Sequence, residues 1–421
     1  MGVGEDHDLA NLARSLARGD VSTSEAVANQ LARLREVHER TNCVAFWNPR
    51  AIEEAAELDE TFTRAGAVGP LHGVPMTVKD WIDVAGMPCT GGMTESRTRV
   101  PERDATTVAR LRAAGAVIVA KTAVQPESEL FGLVHNPHDR ARSPGGSSSG
   151  EAAAVGGGGS IVGLGSDSGG SIRLPAAWCG AAGLKPSAGL VPVAGHFPRV
   201  GERGDGRTQI GPLASSVAGL SAVLSVIAGS DDRDAGVAPV AIRRPDDVDI
   251  RGLRVGWSCG ESDWVVAGVV RAAVERAVTI LETAGARASI EVSMELDNAL
   301  DITRRYWRRR ELTGAEADDQ LIDWDRYRTR MLRALTEVDV VVMPAVLTVA
   351  PLHRALEGTD FIFTLPASLT GAPAVVLPIG DDAGLPIAVQ VVAHRWRDDV
   401  ALRVASVLEE ETRLDSRLAL S

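Results

Sequence analysis

Apolar positions recur along this chain with two different periods, and each change of period marks an element. Near the start, VSTSEAVANQLARL places Val27, Leu31 and Leu34 on one helical face, with Ser22 as N-cap and Glu25 three residues on. This predicts an amphipathic surface helix. Leu71 to Val78 (LHGVPMTV) reads as a turn entering a buried strand, which ends on the charged pair Lys79 and Asp80. Charge at the C-terminal edge of a strand is where α/β sites tend to lie.

TTVARLRAAGAVIVAKT predicts a short helix ending at Gly115 and an apolar strand from Val117 to Ala120, and VRAAVERAVTILETAGARASIEV repeats that order. DVVVMPAV and PAVVLPI are further predicted strands, and LPIAVQVVA followed by DDVALRVASVLEEE is a strand with a closing helix. Alternation of this type predicts α/β architecture. With 421 residues and 45% hydrophobic content the chain can bury a large core.

The formal charge of -12, from 56 acidic against 44 basic residues, offers no cationic surface to phosphate backbones or anionic lipid, so neither nucleic acid nor membrane is an expected partner. MGVGEDHDLA is acidic, lacks the regions of a signal peptide, and has Asp6 where a myristoylation motif needs Ser or Thr. No apolar run approaches a membrane span, and a soluble, cytoplasmic protein is expected. Cys43, Cys89, Cys179 and Cys259 are widely spaced without a CxxC pair, and read as reduced, mostly buried thiols.

Glycine and serine concentrate from Ser143 to Ser171, between core-like segments, which favours a functional loop over a linker. GSSSG (Gly146–Gly150) fits a nucleophile elbow centred on Ser148, but SPGG rather than a strand precedes it, and none of His196, His353 and His394 has an informative context. No GK[ST] completes a P-loop, and Pro137 turns the HNPH imidazoles of His135 and His138 into a loop pair. Neither metal nor cofactor is expected.

Two serine clusters and one lysine remain. The glycine-rich segment between Ser147 and Ser171 lets the chain double back and bring the hydroxyls together, while Gly169 and Gly170 let consecutive N–H groups converge on an oxyanion. A glycine loop whose serines cap a helix is the plainer reading of the same residues.

SPGGSSSGEAAAV and GLGSDSGGSIRLPAAWCGAAGLKPSAGLVP resemble the signature of the amidase-signature family, and GPLHGVPMTVKDWIDVAG resembles that family's lysine segment. DATTVARLRAAGAVIVAKT, IGPLASSVAGL and LTGAPAVVLPIGDDAGLPIAVQVVA extend the likeness over nearly the whole chain, with Ile250 to His353 the least typical part. The resemblance implies one domain over residues 1–421, a mixed twisted sheet covered by helices on both faces, with a catalytic core at about 60–230 and 335–412 and a variable insert at about 250–335.

It also implies a Ser-Ser-Lys triad: Ser171 as nucleophile, Ser147 as bridge and Lys79 as base. By the same likeness the N–H groups of Ser168, Gly169, Gly170 and Ser171 form the oxyanion hole, Asp167 and Arg173 hold the loop, Ser148 and Ser149 support it, and Ser147 follows a cis peptide bond. An amide is a weak electrophile with a poor leaving group, so this chemistry needs an activated hydroxyl, a cup of donors and a returned proton. Lysine serves as base only when neutral, which burial behind Val74, Met76 and Val78 favours and a close Asp80 opposes; strand alternation would turn Asp80 to the other face.

The expected function is therefore hydrolysis of a small-molecule carboxamide through a serine acyl-enzyme, extending to anilides, carbamates or esters. A glutamine-hydrolysing subunit of a tRNA-dependent amidotransferase is the alternative, for which the chain is rather short; a non-catalytic anion-binding module is a third. Cys89–Arg99, Gln125–His138 and the aromatics Tyr306, Trp307 and Trp324 are candidate substrate walls. RRYWRRRE is expected to expose a basic helix face with its aromatics turned inwards, and Trp178 and Cys179 to lie in the core. A homodimer is the expected assembly.

Overall fold

A computed structural model describes residues 8–200, 206–261 and 264–418, so the acidic start of the chain, with Asp6, lies outside the described residues. Thirteen strands are found among the described residues. In chain order they are β1 (Val44–Trp47), β2 (Pro75–Lys79), β3 (Val117–Thr122), β4 (Glu127–Ser128), β5 (Gly132–Leu133), β6 (Val162–Asp167), β7 (Ala182–Lys185), β8 (Gln209–Ala214), β9 (Arg254–Trp257), β10 (Arg287–Glu291), β11 (Val340–Pro344), β12 (Ala374–Asp382) and β13 (Leu385–Ala393). β4 and β5 form a small hairpin; the other eleven make one sheet in the order β1-β3-β2-β6-β8-β7-β12-β13-β11-β9-β10.

The sheet is mixed. β2 runs parallel to both β3 and β6, and β11, β9 and β10 are mutually parallel, whereas β6, β8, β7, β12, β13 and β11 pair antiparallel in turn. Every residue of β2, β3, β6 and β11 is buried, which explains why β2, β3 and β11 read as apolar runs without alternation. Both faces of β3 are covered, since Ile118 packs into the main core while Val117 and Val119 pack into a second cluster with Leu31 and Leu34.

Twelve helices among the described residues surround the sheet. They are α1 (Leu9–Arg18), α2 (Thr23–Thr41), α3 (Ala51–Ala65), α4 (Thr106–Ala113), α5 (Ser149–Gly156), α6 (Arg173–Cys179), α7 (Val217–Ile227), α8 (Gly268–Thr283), α9 (Leu296–Trp307), α10 (Gly314–Ala334), α11 (Leu365–Thr370) and α12 (Asp398–Leu418). α2 begins as its sequence predicts, with the Ser22 side chain accepting from Glu25 N at 3.1 Å. The stretch 250–335, read as an insert, supplies β9, β10 and α8 to α10, so it extends the edge of the same sheet.

The topology brings the chemistry together. β2 and β6 are parallel neighbours in the register Thr77 to Gly163 and Val78 to Leu164, so Lys79 and the Ser166–Asp167 pair emerge at the same C-terminal edge. α5 begins directly after the 143–148 loop and α6 directly after the 168–172 loop, and the two short helices pack on one another.

Candidate active site

Lys79 ends β2 and is completely buried. Its Nζ lies 2.8 Å from Ser147 Oγ, 3.0 Å from Ser148 Oγ, 3.1 Å from Ser166 Oγ and 3.3 Å from Ser166 O. The face of Trp81 closes another side, 4.3 Å from Nζ. Removal from water holds the Lys79 pKa well below its ordinary value, against the opposing charges of Asp167 and Glu151.

Asp80 turns away from this cluster. Its carboxylate accepts from Thr90 N, Thr90 Oγ1 and Gly91 N and sits 3.2 Å from the buried Lys121 Nζ. The segment Cys89–Arg99, a candidate wall, thus braces Asp80. A second carboxylate, Glu151 on α5, lies under the sheet, where Thr77 Oγ1 donates to one oxygen and Thr122 Oγ1 to the other at 2.8 Å. Burial pushes Glu151 up to about 7, against those hydrogen bonds and the charge of Lys79. Gly163 makes room for it, because a Cβ there would collide with Glu151 Oε1.

Ser147 follows the cis Gly146–Ser147 peptide that the resemblance implies. Its carbonyl accepts from Gln125 N at 3.0 Å, so the start of the Gln125–His138 segment abuts it. Ser148 is the residue before α5; its N–H donates to Ser171 O at 3.1 Å, tying the two serine clusters together, and its hydroxyl lies 3.4 Å from Ser166 O. Ser149 turns back to Gly145 O at 2.5 Å. Among the described residues no histidine completes an elbow around Ser148.

Asp167 and Arg173 are both fully buried and hold the intervening loop. Arg173 donates through Nε and Nη2 to the carboxylate, both at 3.0 Å, and Asp167 also accepts from Gly170 N at 2.8 Å and Ile172 N at 3.1 Å. The remaining guanidinium donors reach Thr364 O and Gln390 Oε1 through Nη1, at 2.7 and 2.8 Å, and Ser368 Oγ through Nη2, at 2.7 Å. Burial opposes ionisation of Asp167, but Arg173, Lys185 and the Ile172 N–H together hold its pKa below the usual value. Lys185, buried next to this pair, is lowered to about 7 by burial and the charge of Arg173.

The four N–H groups of the expected cup differ in their partners. Gly170 N–H is engaged with Asp167, so it fixes the loop, while the N–H groups of Ser168, Gly169 and Ser171 carry no hydrogen bond within the described residues. Arg207 Nε donates to Ser168 O at 3.2 Å and Thr364 Oγ1 to Gly169 O at 2.5 Å, which secures the carbonyl side of the same loop.

The aromatics divide. Tyr306 is buried edge-on to Trp324, with ring centroids 5.6 Å apart, and under Arg207 at 4.5 Å; Trp324 Nε1 donates to Leu369 O at 2.7 Å. Trp307, expected to turn inwards, is instead 42% exposed and stands over Gly169, edge-on to Phe361 at 5.9 Å.

Three contributors escape a reading of the sequence alone. Trp81 is two residues beyond Lys79, and Ser166 directly precedes Asp167, so strand alternation and position in the motif are signals that could find them. His196 gives no local signal: it arrives from a loop, with Nε2 2.9 Å from Ser166 Oγ, and so sits two contacts from Lys79. His135 and His138 contact the backbone at Arg140 O and Cys179 O. Among the described residues no group of three or more His, Cys, Asp or Glu side chains is placed to hold a metal, and no helix is long and apolar enough to cross a membrane. All four cysteines are buried free thiols.

A mixed α/β sheet carrying a desolvated lysine among serine hydroxyls, beside a loop held by a buried Arg–Asp pair, defines a class of serine–lysine site. The chain belongs to the Amidase family, whose model matches residues 25–307 and 308–402. It is 30% identical to the A subunit of the glutamyl-tRNA(Gln) amidotransferase of Syntrophus aciditrophicus, over 98% of both chains, and 30% identical to an acylamidase of Rhodococcus erythropolis, over 94% of both. Among solved structures it superposes on the peptide amidase of Stenotrophomonas maltophilia with a TM-score of 0.81 at 27% identity, over 97% of each.

Proposed function

We propose that this protein hydrolyses a carboxamide C–N bond through an acyl-enzyme on Ser171. Ser171 Oγ attacks the carbonyl carbon while its proton passes through Ser147 Oγ to Lys79 Nζ. The tetrahedral oxyanion is received by free N–H groups of the Ser168–Ser171 loop, and collapse breaks the C–N bond as the proton returns along the same path to the leaving nitrogen. Water then attacks the ester carbon, and Ser171 recovers its proton.

The observation that carries this reading is a wholly buried amine of lowered pKa, 2.8 Å from Ser147 Oγ. A surface-capping lysine would have neither property, and an anion-binding nest would have no use for it. A fluorophosphonate is expected to label Ser171 stoichiometrically; labelling elsewhere, or none, with folded protein overturns the assignment. Turnover of primary amides, anilides, carbamates, esters and glutamine then defines the substrate.

Release of ammonia from glutamine for a tRNA-bound partner is the second reading, favoured by the amidotransferase A subunits at 30% identity and above. The alignment with the Syntrophus protein spans 98% of both chains, although it runs over 484 positions against the 421 residues of this chain. Glutaminase activity that rises on addition of partner subunits, with co-elution in gel filtration, would support it. Rapid turnover of hydrophobic amides by the isolated chain supports the free-standing enzyme.

A further inference from the structure

We infer that His196 is a positioning residue that orients the Ser166 hydroxyl so that the lone pair of Lys79 faces Ser147; the inference rests on the serine–lysine mechanism proposed above. A neutral amine has two N–H donors and one lone pair. Lys79 Nζ faces three hydroxyls, and only one of them, Ser147, is useful as a proton source.

Ser148 Oγ lies 3.4 Å from Ser166 O, to which its hydrogen points, so towards Lys79 it presents an oxygen lone pair. The Ser166 hydroxyl is the ambiguous member: were its hydrogen directed at Nζ, it would occupy the lone pair that Ser147 needs. His196 decides the matter. Its Nδ1 is 2.8 Å from Pro198 O, and a carbonyl only accepts, so the ring proton sits on Nδ1. In the neutral imidazole Nε2 is then an acceptor, 2.9 Å from Ser166 Oγ, and draws the Ser166 hydrogen away from the lysine.

Both Lys79 N–H groups are thereby turned to the side where Ser148 Oγ, Ser166 Oγ and the Ser166 carbonyl, 3.3 Å away, accept, and the lone pair falls to the shortest of the contacts, Ser147 at 2.8 Å. The imidazole is held for this task. It is buried, its backbone N–H donates to Val193 O at 3.0 Å, its ring packs edge-on to Trp81 at 5.9 Å, and Phe197 N donates to Trp81 O at 2.7 Å.

The test is the saturation kinetics of fluorophosphonate labelling at Ser171, which needs no knowledge of the substrate. His196→Leu is expected to lower the maximal labelling rate about 10- to 100-fold with the half-saturating concentration within about two-fold. His196→Gln, whose carbonyl can accept from Ser166, is expected to recover to within about three-fold of the parent rate. With no hydroxyl left to orient, His196→Leu on a Ser166→Ala background is expected to add less than about two-fold. Equal losses in Leu and Gln variants, or a His196→Leu loss that persists undiminished in the Ser166→Ala background, overturns the inference. Should the Leu variant not fold, His196→Asn, too short to reach Ser166, replaces it in the same comparison with Gln. Parent enzyme that is not labelled at Ser171 overturns the underlying mechanism; parent and Leu variant labelled equally fast overturns this inference alone.

Discussion

Lys79 and Asp80 are adjacent in sequence and serve opposite sides of the sheet edge, the amine 2.8 Å from Ser147 Oγ and the carboxylate 3.2 Å from Lys121 Nζ. The separation gives Asp80 a partner of its own and leaves Lys79 governed chiefly by desolvation. Lys79→Met is expected to lower kcat/KM by on the order of 10²–10⁴-fold, the range of a lost general base. Because burial lowers the Lys79 pKa and only the neutral amine accepts a proton, activity of the parent enzyme rises with pH through that lowered value. A pH profile of kcat/KM in the parent enzyme checks the sign: an acid limb only near the ordinary lysine value of 10.5 would contradict it.

Glu151 couples the site to stability. Its pKa is raised from 4.5 to about 7 in the folded chain, so between those values the native state holds a proton that the unfolded state has released. Stability is then greatest below 4.5 as far as this group is concerned, and falls as pH rises to about 7. The shift corresponds to about 3 kcal/mol. Glu151→Gln removes this contribution, so chemical denaturation across that window is expected to show a shallower pH dependence in the variant; identical slopes would refute the assignment.

Gly170 has a φ of +138°, and a Cβ there would collide with Thr364 Oγ1. Gly169 has no such backbone demand, and its Cβ would first meet the edge of Trp307 at 3.2 Å. Gly170→Ala is therefore expected to displace the loop, lowering stability by about 1–3 kcal/mol and Ser171 labelling by on the order of 10²-fold. Gly169→Ala should keep its melting temperature close to the parent's. Indistinguishable melting curves for parent and Gly170→Ala would show that the loop does not depend on this glycine.

How far the sequence reaches follows from how far each signal travels along the chain. Strands buried on both faces announce themselves locally, as VIVAKT and DVVVMPAV do, and the Lys79, Ser147 and Ser171 segments are recognisable because each is a contiguous motif. The period of a strand is enough to turn Asp80 aside. What escapes is assembled across the chain: His196 reaches Ser166 from a separate loop, Glu151 is one acid within a helix until Thr77 and Thr122 close on it, and β9, between β11 and the edge strand β10, belongs to a stretch that resembles an insert. Trp307 departs from expectation for a related reason, since helical period alone does not say which of two adjacent aromatics meets the loop beyond the helix.

Trp307 and Trp324 offer the sharpest test of how the acyl side of the site is built, because they are chemically alike and differently placed. Trp324 anchors α10 to α11 through Leu369 O and packs on Tyr306, so Trp324→Ala is expected to destabilise the fold by roughly 3 kcal/mol. Trp307 is 42% exposed and covers Gly169 beside Phe361, on the loop that leads to Ser171. Trp307→Ala should leave the melting temperature nearly unchanged while lowering kcat/KM for aryl or long-chain amides by about 10-fold, and by much less for acetamide-sized substrates. Equal effects on small and large acyl groups would place the substrate wall elsewhere and leave Trp307 as part of the rim that α9 presents to solvent.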